Sequence, residues 1–246
     1  MAARLRIGTW NVEYADNEAT NARRREVMRR YPADIWILTE TRDALSPGPD
    51  FAAVHSEPRP PYGQRASASG ARWVSIWTRL PTLQRATVSD PERTVAALLE
   101  TTLGPLTVYG TVMPWADDKG RMGEREDAKR WSEHHRVIPL QIADWLELRK
   151  TNPGVPLCVA GDFNTDMLTC ASYGTRKGIE MLRGGLASVG LSCVTAELCA
   201  KSLVSPPIDH IALPTIWRSS LVAAWEGKAG SPRLSDHSGM VVEVEA

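Results

Sequence analysis

Five short segments carry side chains able to do acid–base or metal chemistry. The sharpest is Gly161-Asp162-Phe163-Asn164, which an apolar run feeds directly. Alternate residues of a strand share a face, so Asp162 and Asn164 point the same way as the chain leaves it. A carboxylate beside a carboxamide can orient water and donate a hydrogen bond to an oxyanion. For this segment alone, an Asx-rich turn closing a strand is the alternative. Asp209 lies inside the apolar run Ile208-Asp209-His210-Ile211, where an acidic side chain needs a cation or a hydrogen-bond donor. His237, in Ser235-Asp236-His237, would serve, because a buried aspartate fixes an imidazole's tautomer and favours its charged form. By itself the Asp-His pair also reads as a turn with a surface histidine. Two further apolar runs end in polar groups, one in Glu40 and the other in Asn11 and Glu13. Asn11, Glu13, Glu40 and Asp236 supply hard oxygen donors and no sulfur, a set suited to Mg2+, with Mn2+ as substitute, rather than to zinc.

These segments need rigid elements to hold them. Short runs rich in β-branched and aromatic residues predict strands over 5–12, 34–39, 73–77, 95–99, 106–112, 155–160, 208–213 and 240–244. Helical periodicity appears over 20–30, 125–149 and 176–189. The second helix aligns Trp131, Ile138, Ile142 and Trp145, and Pro139 inside it predicts a kink or two successive helices. Gly184-Gly185 weakens the third. Strands outnumber helices and several follow each other directly, which excludes simple βαβ winding. Two mixed sheets packed face to face with helices outside fit better. Segments 51–72 and 113–123 read as long loops, where substrate contacts usually sit.

The 246 residues suffice for one domain with a sizeable core, spanning 1–246. Twenty-nine basic and 29 acidic side chains cancel, which argues against a strongly basic, non-specific nucleic-acid binder. The N-terminus lacks the apolar core of a signal peptide, and no apolar run is long enough to span a bilayer. Cys158, Cys170, Cys193 and Cys199 form no C-x-x-C pair, so reduced thiols in a cytoplasmic protein are expected, with Cys158 packing as a small hydrophobe. Nothing calls for an obligate protein partner. His134-His135, on a charged helix, are expected to be solvated.

Taken in order, Thr-Trp-Asn-x-Glu, Asp-Ile-x-x-Leu-x-Glu-Thr, Gly-Asp-Phe-Asn, Ile-Asp-His and Ser-Asp-His resemble the endonuclease/exonuclease/phosphatase superfamily. That group includes DNase I, exonuclease III-type repair nucleases, inositol polyphosphate 5-phosphatases and neutral sphingomyelinases. Any one of these motifs is weak, but five in family order from Trp10 to His237 are specific. The resemblance implies a four-layer α/β sandwich of the DNase I type, with the active site at one edge of the packed sheets. It implies Glu40 as the main metal ligand, with Asn11, Glu13 and Asp236 near the metal or the scissile phosphate. Asp162 would position or deprotonate water, Asn164 would contact a phosphate oxygen, and Asp209 would orient His237. The implied reaction is in-line attack of water on phosphorus.

Two departures bear on the substrate. The tyrosine that repair nucleases carry just before a proline is missing from Tyr109-Gly110-Thr111-Val112-Met113-Pro114, where Tyr109 comes too early. Pro206-Pro207-Ile208-Asp209 replaces the aromatic-Arg-Leu-Asp pattern of an abasic-site pocket. A nuclease acting on DNA or RNA is the leading reading, supported by Arg23-Arg24-Arg25 with Arg29 and Arg30, by Arg59, Arg65 and Arg72, and by Trp115 as a stacking platform. The alternative is a phosphatase or phosphodiesterase acting on a small molecule or lipid headgroup. The third is a non-catalytic binding protein on the same scaffold. Arg176, opening a helix after Tyr173-Gly174-Thr175, is a candidate anion contact.

Overall fold

The inner strands are buried along nearly their whole length, so both faces of each sheet must be covered: one packs on the other sheet and helices cover the other. The computed structural model describes residues 3–61, 68–120, 123, 125, 127, 129–168, 172–199, 202–228 and 233–246. Arg65 and Cys170 lie outside them. The first sheet contains β1 (Leu5–Asn11), β2 (Ile35–Arg42), β3 (Ala52–His55), β4 (Ala71–Thr78), β11 (Arg218–Trp225) and β12 (Gly239–Glu245), in the order β11-β12-β1-β2-β4-β3. The second contains β5 (Thr82–Ala86), β6 (Thr94–Thr101), β7 (Gly104–Val112), β8 (Leu157–Asp162), β9 (Leu191–Cys193) and β10 (Asp209–Pro214), in the order β5-β6-β7-β8-β10-β9. Each sheet has one parallel pair at its centre, β1 with β2 and β7 with β8, and the other pairings are antiparallel.

Between the sheets lie Leu5, Ile7, Ile35, Ile37, Val74 and Ile76 from one side and Val95, Leu106, Val108, Cys158, Ala160 and Ile211 from the other. Cys158 is buried there, as expected, and Cys158, Cys193 and Cys199 are free thiols. Helix α1 (Glu18–Arg30) covers the outer face of the first sheet through Met28, over Trp10, Trp36 and Leu38. Helices α2 (Ser132–Thr151) and α3 (Arg176–Ser188) cover the second through Ile138, Trp145, Leu182 and Leu186. A short α4 (Thr195–Cys199) follows β9. Helices outside two mixed sheets make the four-layer α/β sandwich of the DNase I-like fold. Trp10, Trp36, Trp77 and Trp225 all pack on the outer face of the first sheet, where Gly8 leaves the room: a Cβ there would meet the Trp36 ring at 2.6 Å.

Several expectations need correction. The proline-bearing segment forms a single helix, α2, with Pro139 on its exposed side, where water can satisfy the carbonyl that loses its amide partner. That helix begins at Ser132 rather than 125, because Trp131 takes a left-handed φ of 67°. Segment 51–72 is not all loop, since β3 begins it. His134 is buried, with its Nδ1 2.7 Å from the Pro114 carbonyl, and only His135 is half-exposed. Of the Gly184-Gly185 pair, Gly185 has a packing reason: a Cβ there would meet Ile142 at 2.3 Å, so the glycine lets α3 approach α2, whereas a Cβ on Gly184 would meet open space. Among the described residues, no helix is long and apolar enough to cross a membrane.

Candidate active site

Strand register brings the predicted residues to one edge of the sandwich. In the antiparallel pair β8–β10, Asp162 stands directly opposite Asp209. Gly161, just before it, has a φ of 132°, and a Cβ there would lie 2.1 Å from the Thr111 carbonyl oxygen. Glycine is therefore what lets β8 deliver Asp162 against β7. Asn11 ends β1, paired in parallel with Thr39 of β2, and Glu40 is the next residue. Glu40, within a strand, takes a φ of 46°, and Asn164 takes 49°. Left-handed conformations at non-glycine residues cost about 1–3 kcal/mol each and collect at functional sites.

The hydrogen bonds run through all of these residues. Asn11 Nδ2 donates to Glu40 Oε1 and to Asp162 Oδ2, both at 3.1 Å. Asp162 Oδ1 accepts from the Asn164 amide at 2.9 Å, and its Oδ2 accepts from Asn164 Nδ2 at 3.0 Å. Asn164 Nδ2 also reaches the Met113 carbonyl at 2.9 Å. His237 Nδ1 lies 2.6 Å from Asp209 Oδ2, and its Nε2 lies 3.9 Å from Asp236 Oδ1. Ser235 is a residue the sequence reading passed over. Its hydroxyl donates to the Asn11 carbonyl at 2.6 Å and accepts the His237 amide at 3.0 Å, tying the β12 approach to the end of β1. His210 is another: Nε2 bonds the Thr165 carbonyl and Nδ1 the Thr195 hydroxyl, pinning the turn after Asn164.

Burial and charge set the protonation states. Burial, with Asp209 and Glu40 adding to it, raises the Asp162 carboxyl to about 7, against the opposing pull of His237. Burial works against a charged His237, but Asp209 and Asp162 outweigh it and lift the imidazole to about 10. Glu40 is also raised, by burial first and by Asp236 among the lesser causes, while the Asn11 hydrogen bond and His237 pull it down. At neutral pH the site thus combines an imidazolium with a carboxyl close to its titration midpoint, which is an acid–base arrangement.

A cavity of about 500 Å³ opens on this cluster, lined by Glu40, Asp162, Asn164, Asp236 and His237. Tyr14, Trp115, Tyr173 and Lys228 also line it, and of these the sequence reading had singled out only Trp115 for contact with substrate. Four predicted residues do not line it: Asn11 and Asp209 reach the cluster through hydrogen bonds to Asp162 and His237, while Glu13 and Arg176 stay outside. Glu13 pairs with Arg233 and does not line the cavity. Arg176 is largely exposed, pairs with Glu180 and lies outside the lining too. Asn11 joins the cluster through its amide nitrogen, while its carbonyl oxygen accepts the Glu13 amide at 2.9 Å, so it faces the carboxylates as a donor rather than as an oxygen ligand. The basic tract is also spent elsewhere: Arg24 is buried against the Leu234 carbonyl and Asn21, Arg25 pairs with Glu18, and Arg72 with Asp43.

The donor set fits a hard divalent cation. Glu40 and Asp236 are oxygen donors close enough for each to disfavour the other's charge, and a cation would relieve that. Asp209 Oδ1 is buried with no hydrogen-bond partner among the described residues, another group awaiting a donor or cation. Asp162, Asp209 and His237 place one ligand-capable atom each within 4.8 Å of one another. A protonated His237 held by Asp209 is a poor metal ligand, so Glu40 and Asp236 are the better candidates.

Comparison with known proteins gives the family and the fold. The model of the Endonuclease/Exonuclease/phosphatase family matches residues 8–237. No curated protein matches the chain. Among solved structures, the human Nocturnin catalytic domain with bound sulfate anion aligns with a TM-score of 0.67 and 18% identity over 100% of this chain and 95% of that one. Truncated Caenorhabditis elegans TDP2 gives 0.64 at 12% identity, over 99% and 98% of the two chains. An endonuclease/exonuclease/phosphatase from Beutenbergia cavernae gives 0.63 at 18% identity, over 99% of this chain and 72% of that one. At these identities the structural likeness speaks for the fold alone.

Proposed function

Because the chain belongs to the endonuclease/exonuclease/phosphatase family, we propose that it is a magnesium-dependent phosphoesterase that cleaves a phosphodiester by in-line attack of water. The observation that carries the reading is His237 held at 2.6 Å by Asp209 in the same cavity as a carboxyl, Asp162, raised to about 7. Asp162 orients the attacking water and takes its proton, with Asn11 and Asn164 fixing the carboxylate. His237 donates a hydrogen bond from Nε2 to a non-bridging oxygen as charge develops there, and as the water oxygen bonds to phosphorus the P–O bond to the leaving group breaks, the departing oxygen taking a proton from solvent. Asn164 keeps its place beside the phosphate through the Met113 carbonyl. Glu40 and Asp236 would hold the divalent ion, which supplies Lewis-acid neutralisation of charge on the phosphoryl and leaving oxygens when bound. A cytoplasmic setting is consistent with its free thiols.

DNA or RNA is the substrate that the family name first suggests. A specific observation favours the small-molecule reading instead: the cavity lining carries Glu40, Asp162, Glu226 and Asp236 against Lys228 and His237. A polyanion is held by neutralising many phosphates, and even with a divalent ion on Glu40 and Asp236 this lining carries no excess of positive charge to do so. The test is an activity panel with Mg2+ and with chelator, covering single- and double-stranded DNA, abasic duplex, RNA, an aryl phosphodiester, inositol phosphates and sphingomyelin. Chelator-sensitive hydrolysis of at least one substrate is expected. Failure with all of them, together with no effect of Mg2+ on stability, would leave only the non-catalytic reading.

A further inference from the structure

Five side chains from five separate segments stack beside the catalytic cluster. Tyr14 follows β1, Arg59 follows the bridge that fastens Pro58 to Arg72, Trp73 lies on β4, Arg93 precedes β6 and Trp115 follows β7. The Arg59 guanidinium lies 4.3 Å from the centre of the Tyr14 ring and 5.2 Å from that of Trp73. The Arg93 guanidinium lies 5.0 Å from Trp73 and 5.5 Å from Trp115. Ring and cation therefore alternate, Tyr14–Arg59–Trp73–Arg93–Trp115, and both arginines are buried, with 7% and 6% of their surface exposed. A salt bridge from Arg93 to Asp118 at 2.7 Å anchors the far end.

A buried guanidinium between two aromatic faces is worth more than an exposed one, because water does not screen it. The stack thus holds its two end rings in place at little further entropic cost to a ligand. Both end rings, Tyr14 and Trp115, line the cavity that contains Asp162 and His237, as does Tyr173. At about 500 Å³ the cavity has the size of a site for one small ligand. Its lining has no surplus of positive charge for a run of phosphates, whereas its aromatic members suit one planar ring.

We infer that this ring–guanidinium stack is a specificity wall, and that the site takes a single phosphoester bearing one planar aromatic group, an aryl or nucleobase ring, held against Trp115 and Tyr14 while the phosphate meets Asp162 and His237. The inference rests on the hydrolytic reading for what happens to that phosphate, but the ring preference is measurable without any turnover. The wall was not visible in the sequence because its members are scattered from residue 14 to residue 115 with no common spacing.

Phenylphosphonate and methylphosphonate serve as probes, since they share a headgroup, differ by a ring, and have a P–C bond that hydrolysis of a phosphoester does not cleave. Calorimetry with the whole chain and Mg2+ should show phenylphosphonate binding about tenfold tighter or more, the range that base–aromatic stacking gives. Trp115→Ala should cut that preference to less than threefold, while Trp115→Phe should retain most of it, with thermal melts confirming that both variants fold. Tyr14→Leu offers a second route to the same loss. Equal affinities for the two probes, or a preference that survives both Trp115→Ala and Tyr14→Leu, would overturn the wall. A single-stranded decanucleotide that binds tighter than a mononucleotide and weakens steeply with salt would overturn the restriction to one ester. Ring preference without hydrolysis of any ester would defeat the phosphoesterase reading and leave the wall standing, whereas hydrolysis without ring preference would do the reverse.

Discussion

The Nδ1 atom of His237 lies 2.6 Å from Oδ2 of Asp209, although the two residues are 28 positions apart and arrive from different sheets. Asp209 faces Asp162 across the β8–β10 pair, so without the imidazole two buried carboxylates would confront each other. The histidine is needed for electrostatic balance as well as for chemistry. His237→Ala should lower kcat by about 10²–10⁴-fold, the usual contribution of a positioned acid–base group. Circular dichroism should show that the fold survives. A variant that kept most of its turnover would remove His237 from the reaction.

The same pair sets the pH dependence. Asp162 is raised to about 7 and must be ionised to take a proton from water, so the rate should climb as pH passes neutrality. His237 is raised to about 10 and must stay protonated, so the rate should fall as pH approaches that value. Asp209→Asn removes a charge that holds the imidazolium, and the alkaline limb should move to lower pH. A kcat profile whose alkaline limb is the same in both proteins would contradict the assigned role of Asp209.

Glu40 and Asp236 repel each other, and that repulsion should be visible as stability. Adding Mg2+ should stabilise the wild-type chain by about 1.4 kcal/mol when the ion is at ten times its Kd. Glu40→Gln keeps an acceptor for Asn11 Nδ2 and removes one negative charge, so it should be no less stable without metal and should lose most of the response. Denaturant titrations with and without Mg2+ measure both quantities. An undiminished Mg2+ response in the variant would place the ion elsewhere.

How far the sequence could be read depended on where each element lies. The eight predicted strands are the inner ones of the two sheets. The four that escaped notice, β3, β5, β9 and β11, are the four edges. An edge strand pairs on one side only and faces water, so β5 reads Thr-Leu-Gln-Arg-Ala and is almost wholly exposed, without the apolar alternation that marks a covered strand. Asp162, Asp209 and His237 were legible because each stands beside an apolar run that dictates where it ends up. Glu13 looked equivalent to Glu40 in the sequence. A turn of left-handed residues at Glu13, Tyr14 and Ala15 takes its carboxylate to Arg233 instead and turns Tyr14 into the cavity. No local pattern announces that reversal, since none of the three residues is a glycine.

His134 gives a stability prediction independent of catalysis. Burial is the main cause that lowers its pKa from 6.5 to about 4, with the Pro114 carbonyl opposing and His135 assisting. The folded chain therefore binds this proton less readily than the unfolded chain. The resulting stability is fully present above the unfolded pKa and is lost as pH falls from 6.5 toward 4. Between pH 7 and pH 5 this one group should cost the wild type about 2 kcal/mol. His134→Asn has its own absolute stability, but it cannot take up this proton, so its stability should fall less over the same interval by about that amount. Urea titrations of both proteins at pH 7 and pH 5 give the two differences, and His55, which also titrates, is common to both and cancels. Equal losses in the two proteins would show that His134 is charged, or solvated, in the folded chain.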